Sequence, residues 1–199
     1  MGRLFGFLLA GCLLLAATPA WAQQAYLSGN IGFGIRPDAK LSGAPVDLDN
    51  DPAFVINGAI GMEVQPSLRV EGEIGLHNNT ADLLPFSNEF TFSMVSFMGN
   101  AYFDIPLPSP IKPYLGAGLG LGIAGVEEEV GGFTSTDSDL VLAGQLMVGL
   151  GYEISPKATL TFGYRYFTTT DPEFNVGFAG NFETEYSSHD VLFGARFRF

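Results

Sequence analysis

The sequence is poor in cysteine and in basic side chains. Its 199 residues contain one cysteine, Cys12, and 9 lysines and arginines against 21 aspartates and glutamates, a formal net charge of −12. A single cysteine excludes an internal disulfide framework or a thiolate metal site. The shortage of basic side chains argues against a nucleic-acid partner, because binding nucleic acid needs basic patches that neutralise phosphates.

Long apolar runs are also missing after residue 22. A membrane helix needs about 20 consecutive apolar residues, so no later segment is a candidate. The chain is nevertheless 47% hydrophobic and contains 26 glycines, 18 phenylalanines and 7 tyrosines. Hydrophobicity that is high but dispersed favours β-structure with one apolar face.

The N-terminus has the pattern of an export signal. Arg3 precedes an almost wholly apolar run, residues 4–17, and Ala20-Trp21-Ala22 has the small-x-small form of a signal-peptidase site. This pattern predicts that residues 1–22 are a cleaved signal peptide and that residues 23–199 form a single domain.

A lipoprotein signal is the alternative at this end, with Cys12 as the lipidated residue. The apolar run continues past Cys12 and is short before it, which favours ordinary cleavage. Removing Arg3 with the signal leaves 8 basic against 21 acidic residues, a net charge of −13.

Eight segments alternate apolar with small or polar residues. Segment 68–77 shows this most sharply, because Leu68 and Val70 alternate with Arg69 and Glu71. Side chains alternate across a strand, so each segment has one apolar face. Each is about long enough to cross a bilayer when tilted. The predicted strands are 26–36, 53–64, 68–77, 95–103, 114–126, 140–153, 158–167 and 188–199.

Two aromatic residues break the parity of the fourth strand. Phe90 and Phe92 fall on the opposite face from Val95 and Phe97. This change of parity predicts a bulge or an aromatic rim at that point.

The connections alternate in length. Residues 65–67, 106–112 and 154–157 are short and contain proline, whereas residues 37–52, 78–88, 127–139 and 168–187 are longer and polar. Alternation of this kind is typical of a membrane barrel with short periplasmic turns and long external loops. A soluble β-sandwich or lipocalin-like barrel would also alternate, but it would not explain this difference between the two ends.

The last residues carry the most specific pattern. Val191, Phe193, Ala195, Phe197 and Phe199 alternate with small or polar residues up to the end of the sequence. This row resembles the terminal signal that the barrel-assembly machinery reads in outer-membrane proteins.

The wider pattern resembles small eight-stranded outer-membrane proteins, of the type of the OmpA barrel domain and the opacity-like surface antigens. The segments that carry it are 113–120 (PYLGAGLG), 163–166 (GYRY) and 196–199 (RFRF). The resemblance implies an all-β, eight-stranded, antiparallel up-and-down transmembrane β-barrel in the outer membrane of a Gram-negative bacterium. It also implies contact with outer-membrane lipid and lipopolysaccharide. The peptidoglycan-binding domain of full OmpA-type proteins has no counterpart in this sequence, so the resemblance carries no implication of cell-wall tethering.

The polar faces of the predicted strands carry charged residues that lipid cannot satisfy. An eight-stranded barrel has an interior only just filled by side chains, and buried charges need partners. We therefore expect an inward network of Glu63, Arg69, Glu71, Glu73, Arg165, Arg196 and Arg198. This network either only holds the barrel closed or gates a narrow ion path by exchanging partners.

The long connections carry most of the acidic residues. They are Asp38, Asp47, Asp49, Asp51, Glu127, Glu128, Glu129, Asp137, Asp139, Asp171, Glu173, Glu183 and Glu185. A solvated acidic rim is one interpretation. Divalent-ion binding that bridges lipopolysaccharide is the other, although the calcium-loop pattern is absent.

The function expected from the sequence is that of a structural or surface-exposed barrel, monomeric and non-enzymatic, without cofactor or metal. A narrow porin-like channel is the first alternative. A lipid-modifying barrel enzyme is the second, and its candidate site would be Ser187, Ser188 and His189 beside Asp190. The metalloprotease motif His-Glu-x-x-His and the hydrolase motif Gly-x-Ser-x-Gly are both absent.

Overall fold

The computed structural model describes residues 25–35, 49–50, 52–83, 88–130, 133–170, 173–176, 180–183 and 186–199. The expected signal peptide lies outside these residues. Within them, no helix is long and apolar enough to cross a bilayer. The strands are β1 Ala25–Ile35, β2 Asp49–Asn50, β3 Ala53–Gln65, β4 Leu68–Leu83, β5 Asn88–Asp104, β6 Ile111–Val130, β7 Phe133–Ser155, β8 Ala158–Thr169, β9 Glu173–Val176, β10 Gly180–Glu183 and β11 Ser187–Arg198.

The eight long strands form one closed antiparallel sheet. Neighbours in space follow the chain from β1 through β3, β4, β5, β6, β7 and β8 to β11. β11 then pairs with β1, with Leu27 opposite Phe197 and Ile31 opposite Phe193. Closure leaves no unpaired edge in the described wall, which a sheet in lipid requires. The prediction of an eight-stranded antiparallel β-barrel is confirmed.

Apolar side chains cover the outside of the wall. Along β3, Ala53 and Val55 are buried in the lumen, while Phe54, Ile56 and Ile60 are exposed. The same alternation leaves Leu119 78% exposed and Phe193 55% exposed. A soluble fold would bury such side chains, whereas acyl chains solvate them at no cost.

The two ends of the barrel differ in their connections. Turns at residues 66–67, 105–110 and 156–157 define what we call the short-turn end. The opposite end is called the long-loop end. β9 and β10 pair with each other there, and β2 pairs with β4.

Two of the expected long loops are wrong in extent. β4 and β5 pair as far as Leu83 opposite Asn88, and β6 and β7 as far as Val130 opposite Phe133. Residues 78–88 and 127–139, which the sequence predicts as loops, are therefore mostly strand. Pairing satisfies their backbone hydrogen bonds, so polar sequence does not prevent the ladder from continuing.

The expected bulge near Phe90 and Phe92 is also wrong, because the register between β4 and β5 is constant throughout. The side chains of these two residues lie outside the described part, so the aromatic rim stays a prediction. Register shifts occur instead between Glu63 and Gln65 in β3 and between Glu153 and Ser155 in β7. Both lie beside tight turns at the short-turn end, where a bulge adjusts the strand ends.

Glycines on the inner face of β6 make room for large side chains from neighbouring strands. A Cβ added at Gly116 would lie 2.5 Å from Cδ1 of Tyr102, and one at Gly118 would overlap the amide of Asn100. The glycine row therefore permits close packing inside a narrow barrel.

Candidate functional site in the barrel lumen

The lumen is filled by side chains in layers. From the short-turn end upward we distinguish a turn cluster, a tyrosine cluster, a central cluster and an apolar plug. Each layer joins strands that are distant in sequence.

The turn cluster consists of Arg198, Glu63 and Glu153. Arg198 Nε lies 2.7 Å from Glu63 Oε1, and its Nη1 lies 3.7 Å from Glu153 Oε1. All three side chains are between about a quarter and a third exposed. Water therefore screens these pairs at the mouth of the barrel.

The tyrosine cluster is built around Arg69. Its Nε and Nη2 donate to the two oxygens of Asp104 at 2.7 and 3.0 Å, and its Nη1 donates to Glu71 Oε1 at 3.0 Å. The hydroxyl of Tyr26 also donates to Glu71 Oε1, at 2.8 Å. The two-point contact with Asp104 fixes the orientation of the guanidinium.

Tyrosine rings surround the same guanidinium. The Arg69 Cζ atom lies 4.5 Å from the ring centre of Tyr102, 5.7 Å from that of Tyr114 and 5.8 Å from that of Tyr26. Stacking over aromatic faces stabilises a guanidinium that water does not reach. The tyrosines were not expected in the network from the sequence, although their parity already placed them inside.

Arg196 belongs to this layer but is held differently. Its Cζ lies 5.3 Å from the ring centre of Tyr26. Its Nη1 is 3.9 Å from Asp104 Oδ2, which is too long for a hydrogen bond. The side chain of Arg196 therefore has an ion-pair neighbour without a well-formed hydrogen bond to it.

The central cluster is built around Arg165, which is 1% exposed. Its Nε donates to Asp190 Oδ2 at 2.7 Å, and its Nη1 donates to Glu73 Oε1 at 3.3 Å. Its Nη2 lies 2.8 Å from His77 Nε2. Ser188 donates to the other oxygen of Asp190. The guanidinium thus ties β4, β8 and β11 together.

Two amides extend the central cluster across the lumen. Asn100 Nδ2 donates to Glu73 Oε2 at 3.2 Å, and Gln145 Nε2 donates to Asn100 Oδ1 at 2.7 Å. Gln145 Oε1 in turn accepts from Arg165 Nη1 at 3.4 Å. A network whose members satisfy one another is rigid in a low-dielectric interior.

The apolar plug covers the central cluster toward the long-loop end. Its buried residues are Met94, Met98, Ala124, Ala143, Phe167 and Tyr186. The Phe167 ring centre lies 4.8 Å from that of His77 and 6.0 Å from that of Tyr186. These contacts close the upper part of the described lumen with packed side chains.

The seven residues expected to form an inward network all point into the lumen, but they do not form one network. Glu63 and Arg198 lie in the turn cluster, Arg69, Glu71 and Arg196 in the tyrosine cluster, and Glu73 and Arg165 in the central cluster. The sequence reasoning missed Asp104 and Asp190, the main carboxylate partners of Arg69 and Arg165. Both stand at inward positions of their strands, so parity could have identified them.

The residues considered for a lipid-modifying enzyme do not meet at one point. Ser188 and Asp190 face the lumen, whereas His189 faces outward, with Nδ1 2.5 Å from the hydroxyl of Tyr164. Within the described part of the chain, no group of three His, Cys, Asp or Glu side chains is arranged to hold a metal ion.

The proposed assembly row lies on the lipid face. Val191, Phe193, Phe197 and Phe199 are all exposed on the outside of the wall.

The acidic side chains of the long loops are not among those that the structure describes, with the exception of Asp139 in β7.

The chain is similar to two bacterial proteins in part of its length. It is 27% identical over 152 residues to the opacity protein opA50 of Neisseria gonorrhoeae, and the aligned region covers 62% of this chain and 61% of that protein. It is 30% identical over 99 residues to an uncharacterized protein of Brucella abortus, covering 45% of this chain and 35% of that one. The chain thus spans less than two thirds of the length of either relative.

A solved structure has the same fold as this chain. Neisserial surface protein A has a TM-score of 0.61 with 23% identity, over 88% of this chain and 97% of that one. The family model described as outer membrane protein beta-barrel domain matches residues 6–199. The chain therefore belongs to the outer membrane protein β-barrel domain family and is a protein of the outer membrane.

Proposed function

We propose that this barrel is a structural and surface-exposed protein of the outer membrane, non-enzymatic, which supports envelope integrity and makes contacts through its acidic long-loop end. The observation that carries the proposal is the closed centre of the lumen. Paired charges surround Arg165 there, and the apolar plug covers them. A lumen closed at its centre leaves the wall and the long-loop end as the surfaces for outside contacts.

Recording from purified protein in planar lipid bilayers tests the sealed lumen. The folded state of the protein is first checked by heat-modifiability on gels. With folded protein we expect no discrete conductance steps at any protein concentration. Steps that scale with the amount of folded protein would refute a purely structural role.

A narrow gated ion path is the second candidate, and one contact favours it. The guanidinium of Arg165 contacts both Glu73, at 3.3 Å, and Asp190, at 2.7 Å. A movement of the guanidinium toward one carboxylate would open space for an ion beside the other carboxylate. On this hypothesis Arg165→Met increases conductance, while Arg198→Met at the mouth leaves it unchanged. Equal, silent recordings from both variants would dismiss the channel.

The partners follow from the faces of the barrel. The exposed apolar wall supports contact with acyl chains. The acidic end would contact the anionic headgroup region of lipopolysaccharide through bridging divalent cations, which carboxylate oxygens bind. Spin labels at Leu119 and Phe193 should report acyl chains and not water.

We also propose that the barrel is a monomer. Sedimentation in a density-matched detergent would test this.

Export and assembly complete the proposal. Cleavage after Ala22 would give a mature protein of residues 23–199, and the intact mass of protein from isolated envelopes would test it. We propose that the assembly machinery reads Val191, Phe193, Phe197 and Phe199 from the lipid face. Phe199→Ser should then slow assembly in cells, while Phe162→Ser on β8 should not.

A further inference from the structure

A cavity of about 320 Å³ lies at the short-turn end of the lumen. Side chains of five strands, β3, β5, β6, β7 and β11, line it, together with the connection between β5 and β6. The charged lining residues are Glu63, Asp104, Lys112, Glu153, Arg196 and Arg198. Water takes up about 30 Å³ per molecule in the liquid, so the cavity has room for a small hydrated ion.

The carboxylates of the cavity already have partners other than Arg196. Arg198 contacts Glu63 at 2.7 Å and Glu153 at 3.7 Å. Asp104 accepts hydrogen bonds with both of its oxygens from Arg69. Arg198 and Arg69 therefore offset part of the acidic charge of the lining.

Arg196 stands apart, because one of its buried donors lacks an acceptor. The residue is 4% exposed, and its Nε has no hydrogen-bond partner among the described residues. Its nearest carboxylate oxygen is 3.9 Å away, and its guanidinium lies against the ring of Tyr26. Burying a charged donor without an acceptor is costly, so an acceptor that enters from the cavity would bind favourably.

A second cation lines the same space. Lys112 donates from Nζ to the backbone oxygen of Leu107 at 2.8 Å, which holds the ammonium at the cavity and uses one of its three donors. Arg196 on β11 and Lys112 on β6 thus line one cavity from different strands. Two cationic donors at one cavity suit an oxyanion with several acceptor oxygens.

We propose that this cavity binds a phosphate group, with Arg196 as the main ligand and Lys112 as the second. The group can belong to free inorganic phosphate or to the headgroup of a phospholipid at the periplasmic face, where the short-turn end of a barrel lies. Both sources present the same tetrahedral oxyanion to the same two side chains.

Calorimetric titration of the refolded barrel tests this site. The protein is held in a phosphate-free maltoside detergent, and the probes are inorganic phosphate and a soluble short-chain phosphatidylglycerol. We expect saturable binding to the unmodified chain and about tenfold weaker binding to R196Q, which is the effect of losing one charge-assisted contact. K112Q should weaken binding less than R196Q does.

The matched control is K157Q. Lys157 carries the same charge at the same end of the barrel, is exposed and does not line the cavity. Its removal should leave the isotherm unchanged. Because R196Q also alters a buried layer, its folding is checked by heat-modifiability, and K112Q, whose side chain is partly exposed, provides an independent test.

The possible results distinguish the two sources of the phosphate group from a failure of the proposal. Binding of inorganic phosphate equal to that of the short-chain lipid assigns a free anion, whereas tighter binding of the lipid assigns a headgroup. No saturable heat with either probe, or the same isotherm for the unmodified chain, R196Q and K112Q, would overturn the proposal.

Discussion

The two halves of the lumen are closed in different ways. In the short-turn half, arginines lie against tyrosine rings, and a cavity remains beside Arg196. In the long-loop half, Arg165 is completely enclosed by Asp190, Glu73 and His77, and the apolar plug lies above it. The difference indicates that, among the described residues, the lumen is closed above Arg165 and has open space at the short-turn end.

The strongest test of this contrast is Arg165→Met. The substitution leaves Asp190 and Glu73 buried without their cation, and we expect a loss of about 4 kcal/mol, since breaking a buried pair costs roughly 3–5 kcal/mol. Urea unfolding in lipid vesicles, followed by far-UV circular dichroism and gel mobility, measures it. Arg165→Lys, which keeps the charge, should lose less. An unchanged unfolding midpoint would mean that water already reaches the central cluster.

The plug is tested by Phe167→Ala. The ring packs against His77 and Tyr186, so its removal should cost about 3 kcal/mol, at the lower end of the roughly 3–5 kcal/mol found for such truncations. Phe162→Ala on the same strand is the matched control, because Phe162 faces lipid. Equal losses from the two variants would show that the plug contributes no more than the outer wall.

The faces of the wall could be predicted from the sequence, but the partners inside it could not. A period of two residues assigns Arg165, Glu73 and Asp190 to the lumen whichever strands are neighbours. Which carboxylate meets which guanidinium depends on the register between paired strands. Asp190 lies directly opposite Arg165 in the β8–β11 ladder. The connection between these two strands is long, so the sequence leaves their register open, and Asp190 was not recognised as the main partner of Arg165.

Strand ends were the second point where prediction failed. The acidic and small residues from 127 to 139 look like a loop, yet most of them continue the β6–β7 ladder. Beyond the lipid, both faces of a strand meet water, so the alternation that marks a strand disappears while the hydrogen bonds remain. Gly131-Gly132, which separates the two strands in the sequence, is the hairpin signal that could have revealed this.

Close packing in the short-turn half is tested by Gly116→Ala. The new methyl group would lie 2.5 Å from Tyr102, whose ring supports Arg69, so we expect a loss of about 2 kcal/mol, within the roughly 1–3 kcal/mol cost of overpacking. Gly72→Ala is the control, since nothing lies within 4 Å of a Cβ at that position. The same unfolding measurement applies. If Gly116→Ala is as harmless as Gly72→Ala, the tyrosine cluster has more free space than the distances show.

The smallest effect is expected at the mouth, from Arg198→Met. Arg198 pairs with Glu63 at 2.7 Å, as closely as Arg165 pairs with Asp190, but its side chain is 24% exposed against 1% for Arg165. Water can solvate Glu63 once the guanidinium is gone, so the loss should stay below about 1 kcal/mol, the usual limit for exposed pairs. Added salt should further reduce the stability loss caused by Arg198→Met and leave the loss caused by Arg165→Met unchanged, because salt screens only the exposed pair. A loss at Arg198 equal to that at Arg165 would show that both halves of the lumen are equally dry, and that pairing distance, not burial, sets the strength of these contacts.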